Sequence, residues 1–234
     1  MKFLKNIVNI KRGEGKMVLT FFCFSFFMVA MGLVAKTAKD AYFLSRFEKS
    51  ILPLMFLGVA VVIAPVLTYY TKVSKQLSPR LLFMITSSIF ISSFIIVQPM
   101  ITGWVVPTVY IWIELVVGIM IIQFWGYAAE SFEPQQAKRL FGIIGGGGSF
   151  AVMLVGMNLK PFVKIFGTDE LLFVAAGLLA LTMFFGLNAI RYIKKSPAKK
   201  TSSTTKKKKE KKKDPFIIGI GTIVFLSAIV TILL

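Results

Sequence analysis

The hydrophobic and polar positions of this chain are arranged in long blocks rather than alternating residue by residue. Six apolar runs of 18 to 22 residues occupy residues 17–35, 51–70, 81–98, 104–125, 140–159 and 171–190, and a seventh occupies 216–234. A helix of ~20 residues is ~30 Å long, which matches the hydrocarbon core of a bilayer. A soluble element would instead keep one polar face. The pattern therefore predicts an all-α polytopic membrane protein with six helices and the start of a seventh.

The lysine and arginine residues between these runs predict the orientation. If the N-terminus is cytoplasmic, 22 of the 28 basic residues lie in cytoplasmic segments and 6 lie outside, as the positive-inside rule requires. We expect a basic cytoplasmic N-terminus at residues 1–16, a six-span bundle at 17–192, a lysine-rich cytoplasmic linker at 193–214 and a seventh segment at 215–234. The expected location is the inner (plasma) membrane.

The net charge of +18 changes this picture little, because 12 of the 28 basic residues lie between positions 191 and 213. Such a low-complexity basic segment is attracted to anionic lipid headgroups, and we prefer this interpretation to nucleic-acid binding. Six spans, a long linker and a new span are also the layout of transporters made of two six-span halves. The apolar end at Leu234 suggests a fragment, and a seven-span protein is the alternative.

Residue types needed for catalysis or metal binding are scarce. The sequence has no histidine and a single cysteine, Cys23. It therefore offers no Cys/His set for a transition metal and no disulfide framework. No nucleophile and base form a recognisable constellation either. We expect neither a metal nor a cofactor, and a protein that is not an enzyme.

Glu114 is the ionisable residue that lies deepest within any apolar run. A charged side chain near the bilayer centre is costly, and such residues usually face a bundle interior or a watery cavity on a substrate or ion path. The sequence leaves three roles open for Glu114, namely a proton carrier, a substrate contact and a structural ion pair.

Two lysines and an aspartate follow the first apolar run. Lys39 and Asp40 follow Lys36 by three and four residues. All three therefore share one face if the first helix continues to about Leu44. That face would line the outer half of a bundle cavity, where two cations attract an anionic substrate. The alternative is an exposed loop. Arg46 is a weaker substrate-binding candidate, because it would lie beyond the helix end.

A polar turn and a glycine-rich stretch open the fifth apolar run. Lys138 and Arg139 lie at its cytoplasmic start. The four glycines at 145–148 lack both the Gly-Lys-Ser/Thr ending and the preceding strand of a phosphate-binding loop. We interpret Gly142 and Gly146 instead as a GxxxG pair that lets neighbouring membrane helices approach closely.

Two stretches carry a family resemblance. The segment AKTAKDAYFLSRF resembles the motif on the first helix of the ATP/ADP translocase (nucleotide transporter) family, which belongs to the major facilitator superfamily. The segment IELVVGIMIIQFWGYAAESFEPQQAKRLFGIIGGGGS is similar to that family's fourth and fifth helices. The resemblance covers essentially the whole chain as the N-terminal half of such a transporter, and it is closest to the divergent bacterial members.

The resemblance implies roles for particular residues. It matches Lys39 to a helix-one lysine and Glu114 to a helix-four glutamate that nucleotide transport requires. The loop TKVSKQLSPR takes the place of the superfamily's gating motif. It keeps the basic residues Lys72, Lys75 and Arg80 but lacks the glycine and aspartate, which leaves gating by this loop in doubt.

Together these features lead us to expect a secondary transporter that moves an anionic solute by alternating access. The expected solute is a nucleotide, through ATP/ADP exchange or nucleotide uptake, or another phosphorylated anion. The alternative is a degenerate transporter half that does not transport and instead acts as a membrane anchor or scaffold. A C-terminal half would complete the transporter. A soluble partner domain would bind the scaffold.

Overall fold

The computed structural model describes residues 11, 13–74, 76–101, 103–168 and 170–193. Most of the predicted N-terminal segment, the linker and the seventh segment therefore lie outside the described residues. Lys75 of the predicted gating loop lies outside them as well.

Six α-helices make up the described part of the chain, and each is long and apolar enough to cross a membrane. They are α1 Gly15–Leu44, α2 Leu52–Ser74, α3 Pro79–Val97, α4 Val106–Ser131, α5 Pro134–Phe166 and α6 Leu171–Ala189. Short 3-10 turns at Lys49–Ile51, Gln98–Met100, Gly103–Val105 and Ile190–Tyr192 flank them. The prediction of an all-α protein with six long apolar helices is confirmed at this level.

Two helix ends carry information about the site. Helix α1 continues to Leu44. Lys36 and Lys39 were predicted to share one face only if the helix extended this far. Helix α5 begins at Pro134 rather than at residue 140, so the predicted polar turn is largely helical. The reason is a capping box, in which the Glu133 side chain accepts from the backbone of Gln136 and the Gln136 side chain accepts from that of Glu133.

Helix α1 is the centre of the bundle. It packs against α4, α5 and α6, whereas α3 packs mainly on α6 and α2 packs on α4. Aromatic rings fill the contacts of its N-terminal half. The ring of Phe24 meets that of Phe124 edge-on at a centroid distance of 5.1 Å and that of Phe83 at 5.6 Å. Because α1 is enclosed on three sides, a polar side chain on it is held in place by its neighbours.

Small residues set how closely α5 approaches α1, but they are not the predicted ones. A methyl group added at Gly142 or Gly146 would meet open space among the described residues. One added at Gly147 would strike the backbone carbonyl of Phe22, and one at Gly148 would come within 3.0 Å of Val29. Gly142 and Gly146 therefore do not make the contact with α1, because the four-glycine run presents its other side to that helix, and their packing against another helix stays a prediction.

Candidate functional site

Three of the predicted substrate-binding residues come from one face of α1. Lys36, Lys39 and Asp40 lie within the last three turns of that helix, which ends at Leu44. Glu114 lies on the first half of α4, Val106–Ser131, which packs against α1. The helix pair brings together four charged side chains that are up to 78 residues apart in the sequence.

The four side chains form a connected ion-pair cluster. One oxygen of Glu114, Oε2, lies 3.0 Å from the ammonium nitrogen of Lys36. The other oxygen, Oε1, lies 3.2 Å from the ammonium nitrogen of Lys39. Lys39 also pairs with Oδ1 of Asp40 at 2.8 Å. Each carboxylate oxygen of Glu114 thus has its own lysine, and Glu114 is the link between the two cations.

Tyr110 completes the surroundings of Lys39, although the sequence analysis did not select it. The Lys39 nitrogen lies 3.5 Å from the centre of the Tyr110 ring, within the range of a cation–π interaction. Tyr110 precedes Glu114 by four residues, so both side chains project from the same face of α4. The four-residue spacing from Glu114 was the sequence signal that could have identified Tyr110. An aromatic residue in an apolar run, however, normally indicates packing alone.

The members of the cluster differ strongly in exposure. The Lys39 side chain is only 3% exposed and that of Glu114 18%, whereas those of Lys36 and Asp40 are 43% and 48% exposed. Two cations and two anions also balance, so the cluster has no net formal charge. Lys36 is consequently the exposed cation of the cluster, and Lys39 is enclosed by protein.

A small cavity opens beside Lys36. It lies between α1 and α4, has a volume of about 150 Å³ and is otherwise lined by apolar side chains such as Met28, Val117 and Ile121. Pockets that enclose a drug-sized ligand measure ~300–1,000 Å³. The described residues therefore provide one wall of a nucleotide-sized site rather than the whole of it.

Arg46 does not join this cluster. It lies just beyond the end of α1, where its guanidinium donates to the backbone oxygens of Tyr42 and Ile101, each at 3.4 Å. These contacts fix the end of α1 to the segment that precedes α4. The structure thus places Arg46 in contacts at the end of α1, and its part in substrate binding stays a prediction.

The basic residues predicted for the cytoplasmic loops are dispersed. Lys72, Arg80 and Lys138 are exposed, as solvated lysines and arginines commonly are. Arg139 differs, because its guanidinium nitrogen donates to both carboxylate oxygens of Glu14 at 2.8 and 2.9 Å.

Glu14 is the centre of this second ionic contact, which the sequence analysis missed. It lies directly before α1, accepts from the backbone amide of Lys11 at 3.0 Å and accepts from the Gln136 side chain at 3.0 Å. Burial acts to raise the pKa of the Glu14 carboxyl, but the hydrogen bonds from Lys11, Gln136 and Arg139 outweigh it and hold the pKa below its ordinary value. The contact joins the starts of α1 and α5.

A neutral polar network lies further along α4. The Gln123 amide nitrogen donates to the Tyr70 hydroxyl of α2 at 2.7 Å and to the Thr86 hydroxyl of α3 at 2.8 Å. Thr86 gives its own proton to the backbone oxygen of Leu82, so it can only accept from Gln123. The network ties three helices together without any formal charge.

These features define the class of the molecule as a helical membrane protein with a charged cluster inside its spans. Within the described residues no group of three His, Cys, Asp or Glu side chains is placed to hold a metal ion. Comparisons with known protein families, curated proteins and solved structures find no match for this chain. The candidate function must therefore be argued from the cluster itself.

Proposed function

We propose that this chain forms part of a secondary transporter that moves an anionic solute by alternating access. A nucleotide, or another phosphorylated anion, is the solute that fits the proposal best. In this proposal the six helices are the N-terminal half of a transporter of the major facilitator type, similar to the ATP/ADP translocases. A second half supplies the remaining walls of the site.

The observation that carries the proposal is the meeting of Lys36, Lys39 and Glu114 between α1 and α4. Ionisable groups within membrane spans are costly and mark solute or ion pathways more often than they serve packing. An exposed ammonium beside a cavity supplies an electrostatic contact for phosphate, and such contacts are strong where water is scarce. The small volume of that cavity supports a site shared with a second half.

The orientation and location belong to the same proposal. The excess of lysine and arginine in alternate loops supports a cytoplasmic N-terminus in an inner membrane. The carboxylate of Glu14 and the guanidinium of Arg139 would then hold the cytoplasmic ends of α1 and α5 together, while Lys36 and Glu114 lie nearer the opposite side.

One observation favours the alternative, a membrane anchor that does not transport. The cluster is balanced in charge, as a purely structural network would be. The exposure of Lys36 favours the transporter over this alternative, because a side chain that is 43% exposed leaves an ammonium for an anion to contact.

Uptake by reconstituted vesicles tests the proposal. The full-length protein should accumulate labelled ATP or ADP, and Lys36→Gln should abolish uptake because it removes the exposed cation. Lys49→Gln, which changes an exposed lysine outside the cluster, is the matched control and should transport normally. Equal uptake by Lys36→Gln and the control, or no anion uptake by the unchanged protein, would overturn the proposal.

A further inference from the structure

The two lysines that the sequence analysis treated as equivalent have different surroundings. Lys39 has three neighbours that stabilise its charge, namely Asp40, Glu114 and the ring of Tyr110. Lys36 has one ionic partner among the described residues, which is Glu114. Removing Glu114 would leave Lys39 paired and would leave Lys36 without a counter-ion.

Glu114 is held by two lysines that differ in exposure. Its Oε1 atom faces the buried, fully surrounded ammonium of Lys39, and its Oε2 atom faces the half-exposed ammonium of Lys36. An anion that approaches the exposed side of the cluster meets the ammonium of Lys36 first, because Lys39 is enclosed, and that ammonium is the group that pairs with Oε2. The carboxylate can give up this contact and still keep its pairing with Lys39.

From this asymmetry we propose that Glu114 is an internal competitor for the anion site. Its carboxylate occupies Lys36 in the absence of solute, and a phosphate-bearing anion binds by displacing it. Lys39 is then a positioning residue that retains the displaced carboxylate, and Tyr110 and Asp40 keep Lys39 in place. This inference rests on the proposed function, since it requires that an anion binds at Lys36.

The competition explains why a site for anions can be neutral. Without Glu114, the charge of Lys36 would be costly to hold within the bilayer, because it would lose hydration without gaining a counter-ion among the described residues. Glu114 removes that cost in the empty site. The same carboxylate weakens the binding of any anion, since the anion must break the ion pair before it can form its own.

Binding of pyrophosphate and ADP to the purified full-length protein tests this inference. Glu114→Gln should bind both anions about tenfold more tightly than the unchanged protein, a factor that corresponds to ~1.4 kcal/mol. Lys36→Gln should bind them weakly, and Lys36→Gln combined with Glu114→Gln should bind as weakly as Lys36→Gln alone. Glu114→Gln should nevertheless transport more slowly, because the carboxylate that returns the site to its empty state is missing.

A second variant covers the case in which Glu114→Gln does not fold. Glu114→Asp keeps the counter-charge of Lys39 but shortens the side chain by one methylene, so that it no longer spans both lysines. We expect a smaller gain in affinity from this variant.

The outcomes separate the two proposals. Weaker or unchanged anion binding by both Glu114 variants, with binding by the unchanged protein, overturns the competition and leaves the proposed function in place. No anion binding by the unchanged protein or by either variant overturns the proposed function and the competition together.

Discussion

Helix α4 carries Glu114 and Gln123 within its membrane span, and its neighbours surround these two polar side chains in different ways. Glu114 pairs with two lysines of α1, and one of those lysines is half exposed. Gln123 is 3% exposed and donates to one side chain of α2 and one of α3. The two positions are separated by nine residues, or ~13–14 Å along the helix axis.

The difference indicates which of the two polar groups serves the fold. An amide costs far less to bury than a charge, and it can join several helices through directional hydrogen bonds. The Gln123 network does this for three helices, and the Gln123 side chain at its centre is buried. The charged cluster joins two helices at higher cost and leaves a cation accessible, so it needs a reason beyond packing.

The largest expected effect comes from breaking the charged cluster at its buried member. Lys39→Met leaves Glu114 and Asp40 without the ammonium they share, and breaking a buried pair costs ~3–5 kcal/mol. We expect about 3 kcal/mol here, since Glu114 is partly exposed. Thermal or denaturant unfolding in detergent measures the loss.

Two comparisons control this prediction. Lys36→Met removes the exposed partner of the same carboxylate and should cost less than ~1 kcal/mol. Adding Asp40→Asn to Lys39→Met should recover part of the stability, because Asp40 loses its ion-pair partner in Lys39→Met whereas Glu114 keeps Lys36. A Lys39→Met protein as stable as Lys36→Met would show that the buried ammonium is not held by the cluster as described.

A smaller effect is expected at the neutral network. Gln123→Leu removes two hydrogen bonds, and interhelical hydrogen bonds in membranes average ~0.6 kcal/mol each. Stability should fall by about 1 kcal/mol, and anion affinity should stay the same because the amide lies away from Lys36. Unfolding and pyrophosphate binding, measured on one preparation, check the stability and the anion affinity. A loss of anion binding in Gln123→Leu would contradict the assignment of anion binding to the charged cluster alone.

The smallest effect is expected at the ionic contact outside the spans. Because the pKa of Glu14 is lowered in the folded protein, its pairing with Arg139 stabilises the fold above the ordinary glutamate pKa of ~4.3 and is lost as the pH falls through the lower folded value. Glu14→Gln should cost about 0.5 kcal/mol near neutrality. It should also reduce the loss of stability between about pH 7 and about pH 3, and unfolding at both pH values measures this. An identical pH dependence in Glu14→Gln would exclude the pairing.

The sequence predicted the elements better than their contacts. Apolar runs of bilayer length predict membrane helices because no other open-chain structure satisfies the backbone there. The helical spacing of Lys36 and Lys39 likewise placed them on one face. The same spacing could not predict which lysine would be buried, since that depends on how α4 rotates Glu114 and Tyr110 towards α1.

The misses have a common physical origin. A run of four glycines predicts close packing, but the contacting glycine, Gly147, is selected by the rotation of α5 against α1. The contact of Glu14 with Arg139 joins residues 125 positions apart, and no local pattern encodes such a pair. The start of α5 is the exception. Glu133 and Gln136 have the spacing of a capping box, and this spacing would have predicted a helix that begins at Pro134.

The most direct test of the account is whether water and solutes reach Lys36 within the membrane. The Lys36→Cys variant, in a chain whose single cysteine is replaced by Cys23→Ser, can be treated in vesicles with a charged, water-soluble thiol reagent. Phe184→Cys, on the exposed apolar surface of α6, is the matched control. We predict that position 36 is labelled much faster than position 184 and that pyrophosphate or ADP slows its labelling. Labelling no faster than at position 184 would mean that the charged cluster faces lipid, which contradicts the account.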